Sequence, residues 1–162
     1  SRLRLKIFPD EDLLFIDRHS GTHSINLKQQ AGDIVLKQIG GIYAYHLAVV
    51  IDDAYQQVNQ IVRGADLIKM TCLHLYINRL LKLPDAAYLH LPLVKNKQGH
   101  KLSKQNGAIG LDIKKASQQL HAALTFLGQI IPHELRYSTP SELLQFAIKH
   151  WDNRKIPPIA GQ

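Results

Sequence analysis

The run Tyr88-Leu-His-Leu-Pro-Leu-Val94 limits the possible folds more than any other stretch. It is apolar at nearly every residue rather than at every second one. That pattern suits a strand covered on both faces, as strands of a parallel sheet are. Parallel neighbours need crossover connections, so helical segments must alternate with strands. They do. Residues 66–83 carry Leu73, Ile77, Leu80 and Leu81 at i, i+4, i+7 and i+8, with Pro84 closing the pattern and Thr71 as a candidate cap within it. Before them, Tyr43 to Asp53, centred on Leu47-Ala-Val-Val-Ile51, reads as a second strand covered on both faces. Val58-Asn-Gln-Ile-Val62 reads as a short strand that delivers Arg63 and Gly64 at its end. Residues 41–106 therefore predict strand, strand, helix, strand, loop, an α/β arrangement with a parallel sheet.

The flanking segments are simpler. Residues 3–8 alternate apolar and charged, as a half-buried strand does, and Leu13-Leu-Phe-Ile-Asp17 is a second strand candidate. The following stretch, His19-Ser-Gly-Thr-His-Ser24, reads as a loop; its two histidines lack a helix to fix their spacing and a cysteine to complete a metal site. Asp33 to Lys37 is a third strand, ended by Gly40-Gly41. Toward the other end, Asp112 to Leu127 has a helical stripe stopped by Gly128, and Thr139-Pro140-Ser141-Glu142 is a capping box opening a helix that runs to about Asp152. Two domains are expected, 1–110 and a small helical region, 111–162.

Twenty basic residues against 13 acidic ones give a formal charge of +7 and a pI near 9.6, a balance that attracts polyanions. One cysteine, Cys72, excludes an intrachain disulfide and a multi-cysteine zinc site. No apolar run is long enough to span a bilayer as a helix and no signal-peptide pattern is present, so no membrane partner and a cytoplasmic location are expected.

Beyond Val94, a polar turn with Gly99 leads to Lys101-Leu102-Ser103-Lys104, two ammonium groups three residues apart around a small hydroxyl. Loops leaving the carboxyl ends of such strands are where open α/β sheets bind ligands, and two lysines there could neutralise a polyphosphate. On these four residues alone a solvated basic loop is the better reading. Their neighbours reverse it: Tyr45-His-Leu-Ala-Val-Val-Ile-Asp-Asp53, Ile61-Val-Arg-Gly-Ala-Asp-Leu67, His90-Leu-Pro-Leu93 and Lys101-Leu-Ser-Lys-Gln-Asn106 occur in that order.

This series resembles the second half of the catalytic domain of the class I glutamyl-tRNA synthetase family, from about Ser1 to Pro157, with Lys101–Lys104 similar to its KMSKS signature. The Gln105-Asn106 pair and the His150-Trp151-Asp152 ending resemble the short bacterial branch, the glutamyl-Q tRNA(Asp) synthetases. The resemblance implies a Rossmann-type fold and ATP-dependent, magnesium-dependent activation of glutamate to glutamyl-adenylate. It also implies transfer to the queuosine base of tRNA(Asp), with activation proceeding without tRNA in the short branch and only with it in ordinary members. Lys104 and, second, Lys101 are the implied catalytic residues. Lys101, Leu102, Ser103 and Lys104 are implied to hold ATP, and Tyr45 and Arg63 to hold glutamate. Asp52 and Asp53 are read as shaping their loop, and no metal ligand is assigned.

Departures from the family are equally definite. No His-x-Gly-His sequence occurs, and where relatives carry Thr-Pro-Arg-Gln this chain has Thr71-Cys-Leu-His74. The first signature, the upstream glutamate-holding strand and any zinc insertion are expected in a missing N-terminal half, without which the chain should be inactive. The alternatives are a piece of an ordinary glutamyl-tRNA synthetase, or an inactive half-domain that binds tRNA or a protein partner.

Overall fold

The structure is a computed structural model that describes every residue except Ser1, Pro9, Glu11, Lys104–Asn106 and Ala160–Gln162. The chain divides into two compact units, Ser1–His90 and Leu91–Gln162.

In the first unit the element order is β1 (Leu3–Leu5), β2 (Asp12–Asp17), β3 (Gly21–Asn26), α1 (Leu27–Ala31), β4 (Ile34–Lys37), α2 (Tyr45–Tyr55), β5 (Gln60–Gly64), α3 (Ile68–Leu81) and β6 (Ala87–Leu91). β1 and β4 form a two-stranded antiparallel ribbon, and the other strands form a mixed sheet in the order β3-β2-β6-β5. A parallel pairing, expected among the strands of residues 41–106, is present between β2 and β6, with Asp17 opposite Tyr88, and β6 is buried at three consecutive positions, Tyr88, Leu89 and His90. Phe15 on β2 and Ile68, Cys72, Leu73, Leu75 and Ile77 on α3 build the core beside it. The Cys72 thiol points at the Leu13 carbonyl, 3.4 Å away.

Two segments differ from the sequence expectation. Residues 43–53 form no strand: Tyr45–Tyr55 is the helix α2. Positions 45, 51, 52 and 55 are exposed, whereas 46–50, 53 and 54 are covered at least in part, so the solvent-facing positions recur at helical rather than alternate spacing. The β-branched trio Val49-Val50-Ile51 is a weak preference that packing of this stripe overrides, and eleven residues exceed an ordinary strand. Asp52 and Asp53 are thus in the last turn of a helix, not in a loop. The second difference is His19–Ser24, where a tight turn at Arg18–Ser20 feeds directly into β3. Asp17 Oδ1 accepts from the amides of His19 and Ser20 and from the Ser20 hydroxyl, which closes that turn. His23 then stacks on Phe15 with ring centres 4.9 Å apart.

In the second unit, Asn96 to His100 fold back so that Lys95 bridges Lys101 across a small hairpin. A 3-10 turn at Ile113–Lys115 leads into α4 (Ala116–Phe126), and α5 (Pro140–His150) starts on the predicted capping box, with Thr139 and Glu142 bonded reciprocally. Among the described residues of this unit, Leu124, Leu143, Ala147 and Ile156 are the buried apolar side chains, and Gln129 is buried with them. Gly128 has φ +73°, and a Cβ there would lie 1.9 Å from the Lys155 carbonyl oxygen, so only glycine fits.

Candidate active site

Three buried polar side chains of the first unit, Thr71, His74 and His90, converge on one guanidinium. β5 ends by presenting Arg63, which donates through Nε to His90 Nε2 (3.1 Å), through Nη1 to His74 Nδ1 (3.1 Å) and through Nη2 to Thr71 Oγ1 (2.8 Å). Thr71 lies inside α3 rather than at its start, and its hydroxyl donates back to the Leu67 carbonyl. It and His74 sit three residues apart on one helix face, which is why both reach the same arginine. Tyr88 offers its ring face to the guanidinium at 5.1 Å.

Because Arg63 can only donate, the hydrogen bonds determine the tautomers. His90 accepts on Nε2, so its Nδ1–H donates to Asp17 Oδ2 at 2.7 Å; the same oxygen accepts the His90 amide at 3.0 Å. His74 accepts on Nδ1, so its Nε2–H donates to His46 Nδ1 at 3.0 Å. The proton of His46 is then on Nε2. Two chains of bonds therefore leave the arginine, one ending at the Asp17 carboxylate and the other at His46 on the first turn of α2.

The electrostatics keep the imidazoles neutral. Burial, followed by the Arg63 charge and His46, pushes His74 down to about 3. His46 is lowered by burial and then by Arg63. At His90 burial outweighs the hydrogen bond and charge of Asp17, and its pKa also falls. Burial works to raise Asp17, but bonds from Ser20, His90 and His19 prevail and hold it below the usual carboxylate range. Burial lowers Arg63 as well, opposed by Tyr88, Tyr45 and Asp53, and the Tyr45 hydroxyl is close enough to favour its charge. Asp53 is raised, chiefly by burial, against the pull of Arg63.

Of the residues singled out in the sequence, Tyr45 and Arg63 are brought together, with the Tyr45 ring also edge-on to His46 and His74. Lys101, Leu102 and Ser103 belong to the second unit, where the Leu102 amide donates to the Val94 carbonyl and the Ser103 carbonyl accepts from Ala108. Lys104 lies outside the described residues. Asp17, His46, His74, His90 and Tyr88 went unassigned in the sequence. Asp17 and His90 had one available signal: each closes or nearly closes a strand of the sheet.

The family model described as tRNA synthetases class I (E and Q), catalytic domain, matches residues 1–135. The curated glutamyl-Q tRNA(Asp) synthetase of Pseudomonas syringae pv. tomato is 43% identical over 155 residues, 96% of this chain and 52% of that protein. Those of Pseudomonas aeruginosa and Thiobacillus denitrificans are 42% and 41% identical, over 98% and 92% of this chain and 54% and 50% of theirs. The chain spans about half the length of these relatives. Among solved structures, the glutamate-tRNA synthetase of Elizabethkingia anophelis superimposes with a TM-score of 0.69 at 22% identity, covering 94% of this chain and 34% of that one. A glutamate tRNA ligase from Elizabethkingia meningosepticum, solved with its amino acid, gives 0.70 at 21%.

Proposed function

Because the chain belongs to the class I tRNA synthetases of the glutamate and glutamine type, we propose that it supplies the second half of a glutamyl-Q tRNA(Asp) synthetase. That enzyme activates glutamate with ATP and transfers it to the queuosine base of tRNA(Asp). The observation that carries this reading is Arg63: a largely buried guanidinium whose hydrogen-bond acceptors are all uncharged, beside the Tyr45 hydroxyl. A buried cation held this way favours an anionic ligand, and a guanidinium matches a carboxylate well.

In the proposed reaction a carboxylate oxygen of glutamate attacks the α-phosphorus of ATP. A new O–P bond forms as the bond to pyrophosphate breaks, and the electron pair leaves with pyrophosphate. Arg63 and Tyr45 hold the amino acid so that the attacking oxygen is aligned, which is where most of the acceleration in such a reaction lies. Lys101 and Lys104, with Ser103 and the loop amides, bind the phosphates and stabilise the departing charge. Magnesium accompanies ATP. Removing one such phosphate donor typically costs on the order of 100- to 1000-fold in rate.

The curated relatives support the glutamyl-Q reading over an ordinary glutamyl-tRNA synthetase. The test is glutamate-dependent ATP–pyrophosphate exchange by the full-length protein that carries this chain, with and without tRNA. Exchange without tRNA is expected. Exchange only when tRNA is present would move the assignment to an ordinary glutamyl-tRNA synthetase, and none under either condition would leave a binding module.

A further inference from the structure

The partners of Arg63 are unusual for a buried cation. Its Nε, Nη1 and Nη2 groups donate to an imidazole, a second imidazole and a hydroxyl, all neutral. Among the described residues no carboxylate lies within ion-pair distance of it. An uncompensated buried charge is costly, and a fold could remove the cost with an acid beside the arginine. This fold contains two such acids and pairs neither with it: the Asp53 carboxylate acts on Arg63 only from beyond ion-pair distance, and Asp17 is held off. Asp17 is fully buried in the same network, yet the His90 ring stands between its carboxylate and the guanidinium. Asp17 thereby fixes which nitrogen of His90 carries the proton without neutralising Arg63. On the other side His74, 1% exposed, occupies the position from which a side-chain acceptor meets Nη1.

We propose that His74 and His90 are positioning residues that hold Arg63 through neutral nitrogen acceptors so that its charge stays unpaired, and that His74 thereby sets the preference for a substrate carboxylate over the corresponding carboxamide. The proposal rests on the glutamate reading given above. It makes the neutrality of the acceptor at position 74, rather than its shape alone, the origin of discrimination between glutamate and glutamine.

The experiment is amino-acid-dependent ATP–pyrophosphate exchange by the full-length protein, with glutamate and with glutamine, for the parent and for His74→Glu, His74→Gln and His74→Leu. Folding is followed by circular dichroism melting. A glutamate at position 74 places a carboxylate against Nη1 and gives Arg63 an internal counter-ion. The KM for glutamate should then rise on the order of 100-fold, as expected for bringing like charges into one site. The KM for glutamine should change little, so the ratio of the two collapses, and the KM for ATP should be unaffected. Glutamine at 74 still offers a neutral acceptor and should retain most of the preference, whereas leucine offers none and should lose glutamate affinity. An unaltered glutamate-to-glutamine ratio in a folded His74→Glu protein would overturn the proposal. If that variant does not fold, equal glutamate KM values for the glutamine and leucine variants would overturn it as well. No exchange in the parent removes the glutamate reading itself, and this proposal with it.

Discussion

His74, His46 and His90 are three imidazoles that the folded chain holds in the neutral form, each with a pKa below its ordinary value. In the unfolded chain they take up protons near pH 6.5. Below that pH the unfolded state binds more protons than the folded one, so stability falls as pH falls from about 6.5 toward the value of about 3 given to His74. Asp17, also depressed, acts in the same direction at lower pH, while Asp53, raised, contributes in the opposite sense. For the fully buried His74 alone the loss between neutral pH and pH 5 is about 2 kcal/mol. The melting temperature at pH 5.0 should therefore lie on the order of 10 °C below that at pH 7.5. Circular dichroism melts at the two pH values check this, and a shift absent from the parent would contradict the neutral assignments. Single residues were unequally legible. Tyr45 and Arg63 could be chosen because each sits in a local motif. The acceptors of Arg63 could not, because Asp17 and His90 meet across 73 positions of sequence and His74 reads only as a lost family residue.

At the scale of elements, sequence pattern worked where one periodicity was unopposed. The capping box at Thr139 and Glu142 and the two-sided burial of β6 follow directly from residue order. The α3 stripe follows only in part: Leu73 and Ile77 are buried, but Leu80 and Leu81 are exposed, and Thr71, Cys72, His74 and Asn78 are buried instead. Sequence pattern failed at α2, where a β-branched trio outweighed the helical spacing around it, and at β3, where histidine, serine and glycine suggested a loop. At α2 the deciding partner is distant in sequence, the helix α3. At β3 it is the adjacent strand β2, and the pairing is fixed by the Asp17 bonds that close the turn and by His23 stacked on Phe15, neither of which residue order displays. Gly128 is a sharper case. Sequence marks it as a helix stop, but the structure adds a backbone carbonyl 1.9 Å from where a Cβ would be. Gly128→Ala should destabilise the second unit by about 2 kcal/mol or more, beyond the usual cost of alanine at positive φ. Denaturant titration followed by Trp151 emission measures it. A midpoint equal to the parent's would mean that the chain at Lys155 yields freely.

Across the whole molecule, the mixed α/β topology and the strong positive charge could be inferred before any coordinates, and the fold is shared with glutamate-tRNA synthetases at barely a fifth of sequence identity. What sequence could not give is the division into Ser1–His90 and Leu91–Gln162, which depends on which contacts close within each part. That division has a practical use. The chain's single cysteine, Cys72, lies in the first unit and its single tryptophan, Trp151, in the second. Burial raises the Cys72 thiol from 9.0 to about 11, which at pH 8 cuts its reactive thiolate about 100-fold before access is considered. A disulfide reagent should therefore modify the native protein at least that much more slowly than a free thiol. Added denaturant should speed the reaction as the first unit opens. Nature has thus left each half with its own spectator, one chemical and one optical, so the two can be timed separately in a single unmodified sample.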